Sequence, residues 1–153
     1  MLGFEDSVTP LRGDFHLEVL RGEKVVERCE DHNLIVDSGR HRMAQMAAGE
    51  SADAISFIGV GESGKEEKGE DTSLLNQQLF PLTKRASDGT DARFDFLIGP
   101  EQANGMSIRE FGLFCLDGTM FSHRVRRKKS DGTPSVIEKE EDISIQGYWI
   151  IHF

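Results

Sequence analysis

Tryptophan and tyrosine occur once each in 153 residues, cysteine twice and proline four times, and 18 basic residues face 27 acidic ones. The two cysteines, Cys29 and Cys115, lie far apart with no Cys or His at finger spacing beside them. That scarcity excludes a disulfide scaffold and a structural zinc site, and predicts reduced thiols. A net charge of −9 repels phosphate backbones, so nucleic acid is not an expected partner. No apolar run approaches the ~20 residues of a membrane helix, and no membrane contact is expected. The opening MLGFEDSVTP has no basic stretch leading into an apolar one, so the chain reads as made in the cytosol without a secretory signal. What remains is 37% apolar residues and 16 glycines, the make-up of one globular domain with a core of its own.

Period-two alternation dominates the pattern. Phe15, Leu17 and Val19 alternate with His16 and Glu18, and Arg21 to Glu23 link them to a second strand from Lys24 to Cys29. Asn33 to Asp37 adds a short buried strand, and Asp37 and Ser38 offer a cap for a helix over Arg40 to Ala48. Met43, Met46 and Ala47 give that helix an inward stripe before Gly49. Ile55 to Val60 reads as a strand that empties into a long solvated loop, Gly61 to Asp71. Asp71 and Thr72 then cap a second short helix carrying Leu74, Leu75 and Leu79, ended by Pro81. Phe94, Phe96 and Ile98 mark a further strand, and Asp117-Gly118 turns a hairpin between Ile108–Leu116 and Thr119–Val125. Ile143, Ile145, Gly147, Trp149, Ile151 and Phe153 share one face of a closing strand, which must be held in a sheet or a subunit contact. The expected fold is mainly β within the α+β class, an antiparallel β-sandwich-like domain with two short helices. Residues 15 to 153 form the domain, and residues 1 to 14 read as an extended arm lying across a neighbouring copy.

The sharpest chemical motif is GVGESGK at Gly59 to Lys65, which satisfies the GxxxxGK pattern of a phosphate-binding loop after a strand. The pattern needs a following Ser or Thr for magnesium and a helix to point its N-terminus at the phosphates. Glu66 stands at the first position, and Glu66 to Glu70 carry no helical apolar stripe, so a flexible loop is preferred over nucleotide binding. Arg124, Arg126, Arg127, Lys128 and Lys129 form a basic run, read as a charged contact whose acidic counterpart is Glu138, Glu140, Glu141 and Asp142. His16, His32, His41, His123 and His152 show no metal spacing, and no nucleophile-elbow pattern surrounds Ser63, so neither catalysis nor a cofactor is expected. A sugar-binding β-sandwich, with Tyr148, Trp149 and Phe153 as stacking residues, is the remaining alternative.

The order of motifs resembles phage tail-fibre and tail-collar proteins. The matching segments are Asn33 to Gly39, Ile58 to Gly61, Asp71 to Leu75, Ile108 to Leu116 with Asp117 to Met120, and Trp149 to Phe153. The resemblance implies a structural virion protein without enzymatic activity, assembled in the host bacterial cytoplasm. It would act as a tail-fibre or baseplate attachment unit in host adsorption. Its partners would be copies of itself, as a trimer or hexameric ring, and other tail, baseplate or fibre proteins. The residues expected to matter are then structural. Gly39, Gly112 and Gly118 would set backbone geometry, and Phe94, Phe96, Phe111, Phe114, Trp149, Ile151 and Phe153 would fill the core or a subunit contact.

Overall fold

The computed structural model describes residues 11–153. Ten of the residues expected to form the arm, 1 to 10, lie outside this range, whereas Arg12 to Asp14 already belong to the first strand. That strand, β1 (Arg12–Arg21), turns at Gly22-Glu23 into β2 (Lys24–Ile35), which leads to α1 (Asp37–Ala47). β3 (Ile55–Gly61), β4 (Gln78–Pro81), β5 (Lys84–Asp88) and β6 (Asp91–Ile98) follow. The chain ends with β7 (Ser107–Ile108), β8 (Glu110–Cys115), β9 (Met120–Val125), β10 (Ile137–Glu138) and β11 (Ile143–His152). The expected β-rich antiparallel architecture is present, with one helix rather than two among the described residues.

Nine strands form one curled sheet in the order β4-β3-β8-β9-β2-β1-β11-β6-β5, and β7 pairs with β10 in a small separate ladder. Two segments turn the corners. β2 pairs with β1 through Asn33 and then hands its last residues, Leu34 and Ile35, to β9. At the other side the two edge strands are consecutive in sequence. Leu82 N–H donates to Ser56 O on β3 at 3.0 Å, and Thr83 N–H donates to Asp95 O on β6 at 2.9 Å. One bent segment thus joins both ends of the sheet, leaving two facing halves around a shared interior, as in a sandwich.

Cross-strand partners share a face, so register identifies the interior. Phe15 pairs with Trp149, and Trp149 with Phe94. The Phe15 ring lies 4.7 Å from Trp149 and 5.2 Å from Phe111, which comes from the opposite half, and stacks 6.0 Å from Phe96. Trp149, Ile145 and Ile151 are fully buried, so β11 is held between β1 and β6 as its apolar face requires. Phe153 is the exception, at 57% exposure.

The second expected helix does not form. Leu74 instead packs with Val36, Phe114 and Met120 in a smaller cluster, and Gln78 to Pro81 pair with β3. Pro81 suits that edge strand, where no ladder hydrogen bond is needed from its nitrogen. The first helix starts three residues earlier than its capping pattern suggested. Val36 occupies the N-cap with no side-chain cap, and Ser38 Oγ donates to Met120 O at 2.6 Å instead. Gly39 explains the early start. A Cβ there would sit 2.2 Å from Phe121 O, so only glycine lets the helix lie this close to β9.

Candidate functional site

The segment from Glu62 to Gln77 is polar and glycine-bearing, yet it is fastened over the outward face of β8 and β9. Gly112 pairs with His123, and their face also carries Glu110 and Phe114. Glu110 is 1% exposed and accepts three hydrogen bonds. Ser63 N–H and Leu75 N–H reach its Oε2 at 2.8 and 2.9 Å, and His123 Nε2 reaches its Oε1 at 2.8 Å. The other ring nitrogen, His123 Nδ1, lies 2.8 Å from Asp71. Ionised carboxylates only accept, so both ring nitrogens donate and the ring is an imidazolium. Burial opposes that charge, but the hydrogen bonds from Glu110 and Asp71 outweigh it and hold the His123 pKa above its ordinary value. With both nitrogens engaged and the residue 4% exposed, His123 has no atom to offer a substrate.

Around this hub the chain is tied further. Asp37 N–H donates to Gly69 O, and Val36 N–H to Phe121 O. Arg42 of α1 bridges Asp53 at 2.7 Å and Asp117 at 2.6 Å, fastening the helix to the β8–β9 turn, where Gly118 adopts φ +89. The turn's own Thr119 N–H and the Arg42 guanidinium hold the Asp117 carboxyl below the usual range.

The GVGESGK motif therefore has a different role from a phosphate loop. Gly59 to Gly61 are strand residues, and the chain after them opens no helix. Gly61 lies against Glu110 and Leu74, and Gly64 against Pro134. The loop is an outer covering layer, fastened underneath, whose Lys65, Glu66, Lys68 and Glu70 remain exposed as expected of a solvated segment.

The basic run also turns inward, toward acids other than those expected. Arg124 pairs with Phe111 and shares its inner face, and Asp31 pairs with Phe15 on the same interior. Arg124 bridges Asp31 at 2.7 Å and Glu67 at 3.1 Å, Arg127 reaches Asp31 at 3.3 Å, and buried Arg126 bridges Glu27. Lys128 and Lys129 continue into an exposed turn, where Lys129 N–H donates to Thr133 O. Glu138 instead accepts from Ser107 Oγ, while buried Lys139 Nζ donates to Asn104 Oδ1 at 2.8 Å. The signal missed in the sequence was Glu27 and Asp31 alternating with Arg28 and Glu30, which places acids on the core face of β2.

The outward face of β1, β2, β11 and β6 is mainly polar, with Leu97 standing exposed on it. His152 is clamped between Asp14 at 2.6 Å and Asp91 at 2.7 Å, which raises its pKa. Tyr148 stacks on His16 at 4.4 Å and carries the Arg93 guanidinium 3.8 Å from its ring centre. With those partners, and with Trp149 buried, neither of these two rings offers a sugar a free face, whereas Phe153, the third expected stacking residue, is exposed.

Of the residues expected to be structural, Phe94, Phe96, Phe111, Phe114, Trp149 and Ile151 are buried. Gly112 packs under Phe114, Gly39 under Phe121, and Gly118 makes the turn. The thiols are unpaired, and burial pushes Cys115 up to about 11. Compared with known proteins, the chain matches no family model, no curated sequence and no solved structure.

Proposed function

We propose that this chain is a structural unit of a bacteriophage tail, an attachment or adaptor piece for a fibre or baseplate, acting with copies of itself and other tail proteins. The observation that supports this reading is the convergence of three of the five resembling segments on the buried hub, with a fourth docked beside it on β9. Ile58 to Gly61 abut Glu110, Asp71 to Leu75 supply Asp71 and Leu75 N–H, and Ile108 to Leu116 supply Glu110 itself. Asn33 to Gly39 dock through Val36 and Gly39 on Phe121. Segments that resemble a structural family thus do structural work here, locking a covering loop, a helix and a hairpin into one body.

Native mass spectrometry with magnesium and GTP or ATP tests the reading. A trimer or hexamer without nucleotide is the expected spectrum. A monomer carrying one nucleotide would overturn it in favour of a nucleotide-binding protein built on Gly59 to Lys65.

A further inference from the structure

An apolar groove of about 450 Å³ lies between α1, the starts of β3 and β6, and the end of β11. Ile55, Phe94 and Phe121 on its walls belong to the buried core, and Met43 packs against them, so the groove is cut into the core rather than laid on the surface. Met46 and Phe153 are its exposed large apolar residues. Val26, Leu75, Leu97 and Leu116 are exposed too, and none of them lines this groove, so concavity rather than exposure sets it apart.

We propose that the groove binds a long-chain carboxylate, a fatty acid, with its tail along the methionine and phenylalanine walls and its head on Arg85. The walls select the tail. Every side chain around the groove is apolar except Arg85, so a polar group placed along the ligand would find no partner there. A peptide would bring backbone N–H and C=O groups that Arg85 alone could not satisfy, which favours an alkyl chain. At about 30 Å³ per water-sized group the groove takes a chain of up to about fifteen carbons. Met43 and Met46 are unbranched and adaptable, which suits them to follow such a chain.

Arg85 selects the head. It pairs with Phe94 across β5 and β6, and it donates to Ile55 O at 2.7 Å and to Ser56 Oγ at 3.2 Å. Its strand partner and its main acceptor are thus both wall residues, which fixes the guanidinium at the mouth of the groove. Among the described residues no carboxylate bonds to it, and no Asp or Glu lines the groove. A guanidinium offers a planar fork of donors that matches a carboxylate, and a cationic head would be repelled from the same place.

The test titrates the full chain with laurate, with butyrate and with dodecyltrimethylammonium, each below its micelle concentration. The readouts are the methyl resonances of Met43 and Met46 and the native mass. Laurate should shift both methyls saturably and bind one molecule per chain. Butyrate, which keeps the head and loses the tail, should not shift them. Dodecyltrimethylammonium, which keeps the tail and reverses the head, should bind at least about tenfold more weakly than laurate. Arg85→Gln should weaken laurate about tenfold without weakening the cationic probe. Ala47→Trp, at an exposed position in the groove, should abolish the laurate-dependent shift. Methyls that do not respond to laurate, equal affinity for the two heads, or an unchanged laurate affinity in Arg85→Gln would overturn the proposal. Laurate binding that splits an oligomer into monomers would also overturn it, by showing that the groove holds a second copy.

Discussion

The protein has a ring-filled half, between the facing sheet surfaces, and an ionic half, centred on the covered outward face of β8 and β9, and the two tolerate change differently. Phe15, Phe96, Phe111 and Trp149 meet around one point and need only shape and dryness. Glu110, His123 and Asp71, with Arg124, Asp31 and Glu67 nearby, need every partner in place. A buried charge left alone costs more than the pair contributed, so the ionic half encodes arrangement rather than bulk stability.

The largest effect should come from the ring-filled half. Trp149→Ala should cost about 3–5 kcal/mol in urea unfolding, and a loss below about 1 kcal/mol would contradict the placement of Trp149. Trp149→Phe should cost less than about 1.5 kcal/mol, since the indole nitrogen has no hydrogen-bond partner to lose. In the ionic half, Glu110→Ala should cost about 3 kcal/mol by orphaning an imidazolium and two backbone donors. Gly39→Ala should cost about 1–3 kcal/mol, because backbone at Phe121 must move. Phe153→Ala, at a position 57% exposed, should stay within about 0.5 kcal/mol of the parent in the same measurement.

Acidity separates the halves further. His123 and His152 have folded-state pKa values above the ordinary 6.5, so their stabilisation is complete below that value and is lost as pH rises through the folded values. For Asp14 burial pushes upward, but hydrogen bonds from His152 and His32 leave its pKa below 3.8. Its contribution is present above 3.8 and lost as pH falls through the folded value. Urea stability should therefore hold from about pH 4 to 6.5 and decline above it. His123→Gln should flatten part of that decline; a parent profile that rises above pH 7 would contradict the charged hub.

The two halves were also unequally legible. Alternation revealed β1, β6 and β11 because Phe15, Phe94 and Trp149 recur with period two, and Asp117-Gly118 marked its hairpin. The strand at Lys84–Asp88 was missed because all five residues are exposed and nothing apolar announces them. Leu74, Leu75 and Leu79 suggested a helix because their spacing fits one, yet Leu74 was needed in the Phe114 cluster and Leu79 in an edge strand. The ionic half stayed hidden because it depends on which acid meets which base across long separations. Arg126 and Glu27 are 99 residues apart, and no local pattern joins them.

Amide hydrogen exchange of Glu62 to Gln77 in the parent and in Glu110→Gln tests most directly whether this loop is a locked structural layer. The parent loop should be protected at Ser63 and Leu75, whose N–H groups are held by Glu110. In the variant that protection should fall while β1, β6 and β11 keep theirs. A loop that exchanges freely in the parent would contradict the account and return Gly59 to Lys65 to the status of an open, ligand-seeking segment.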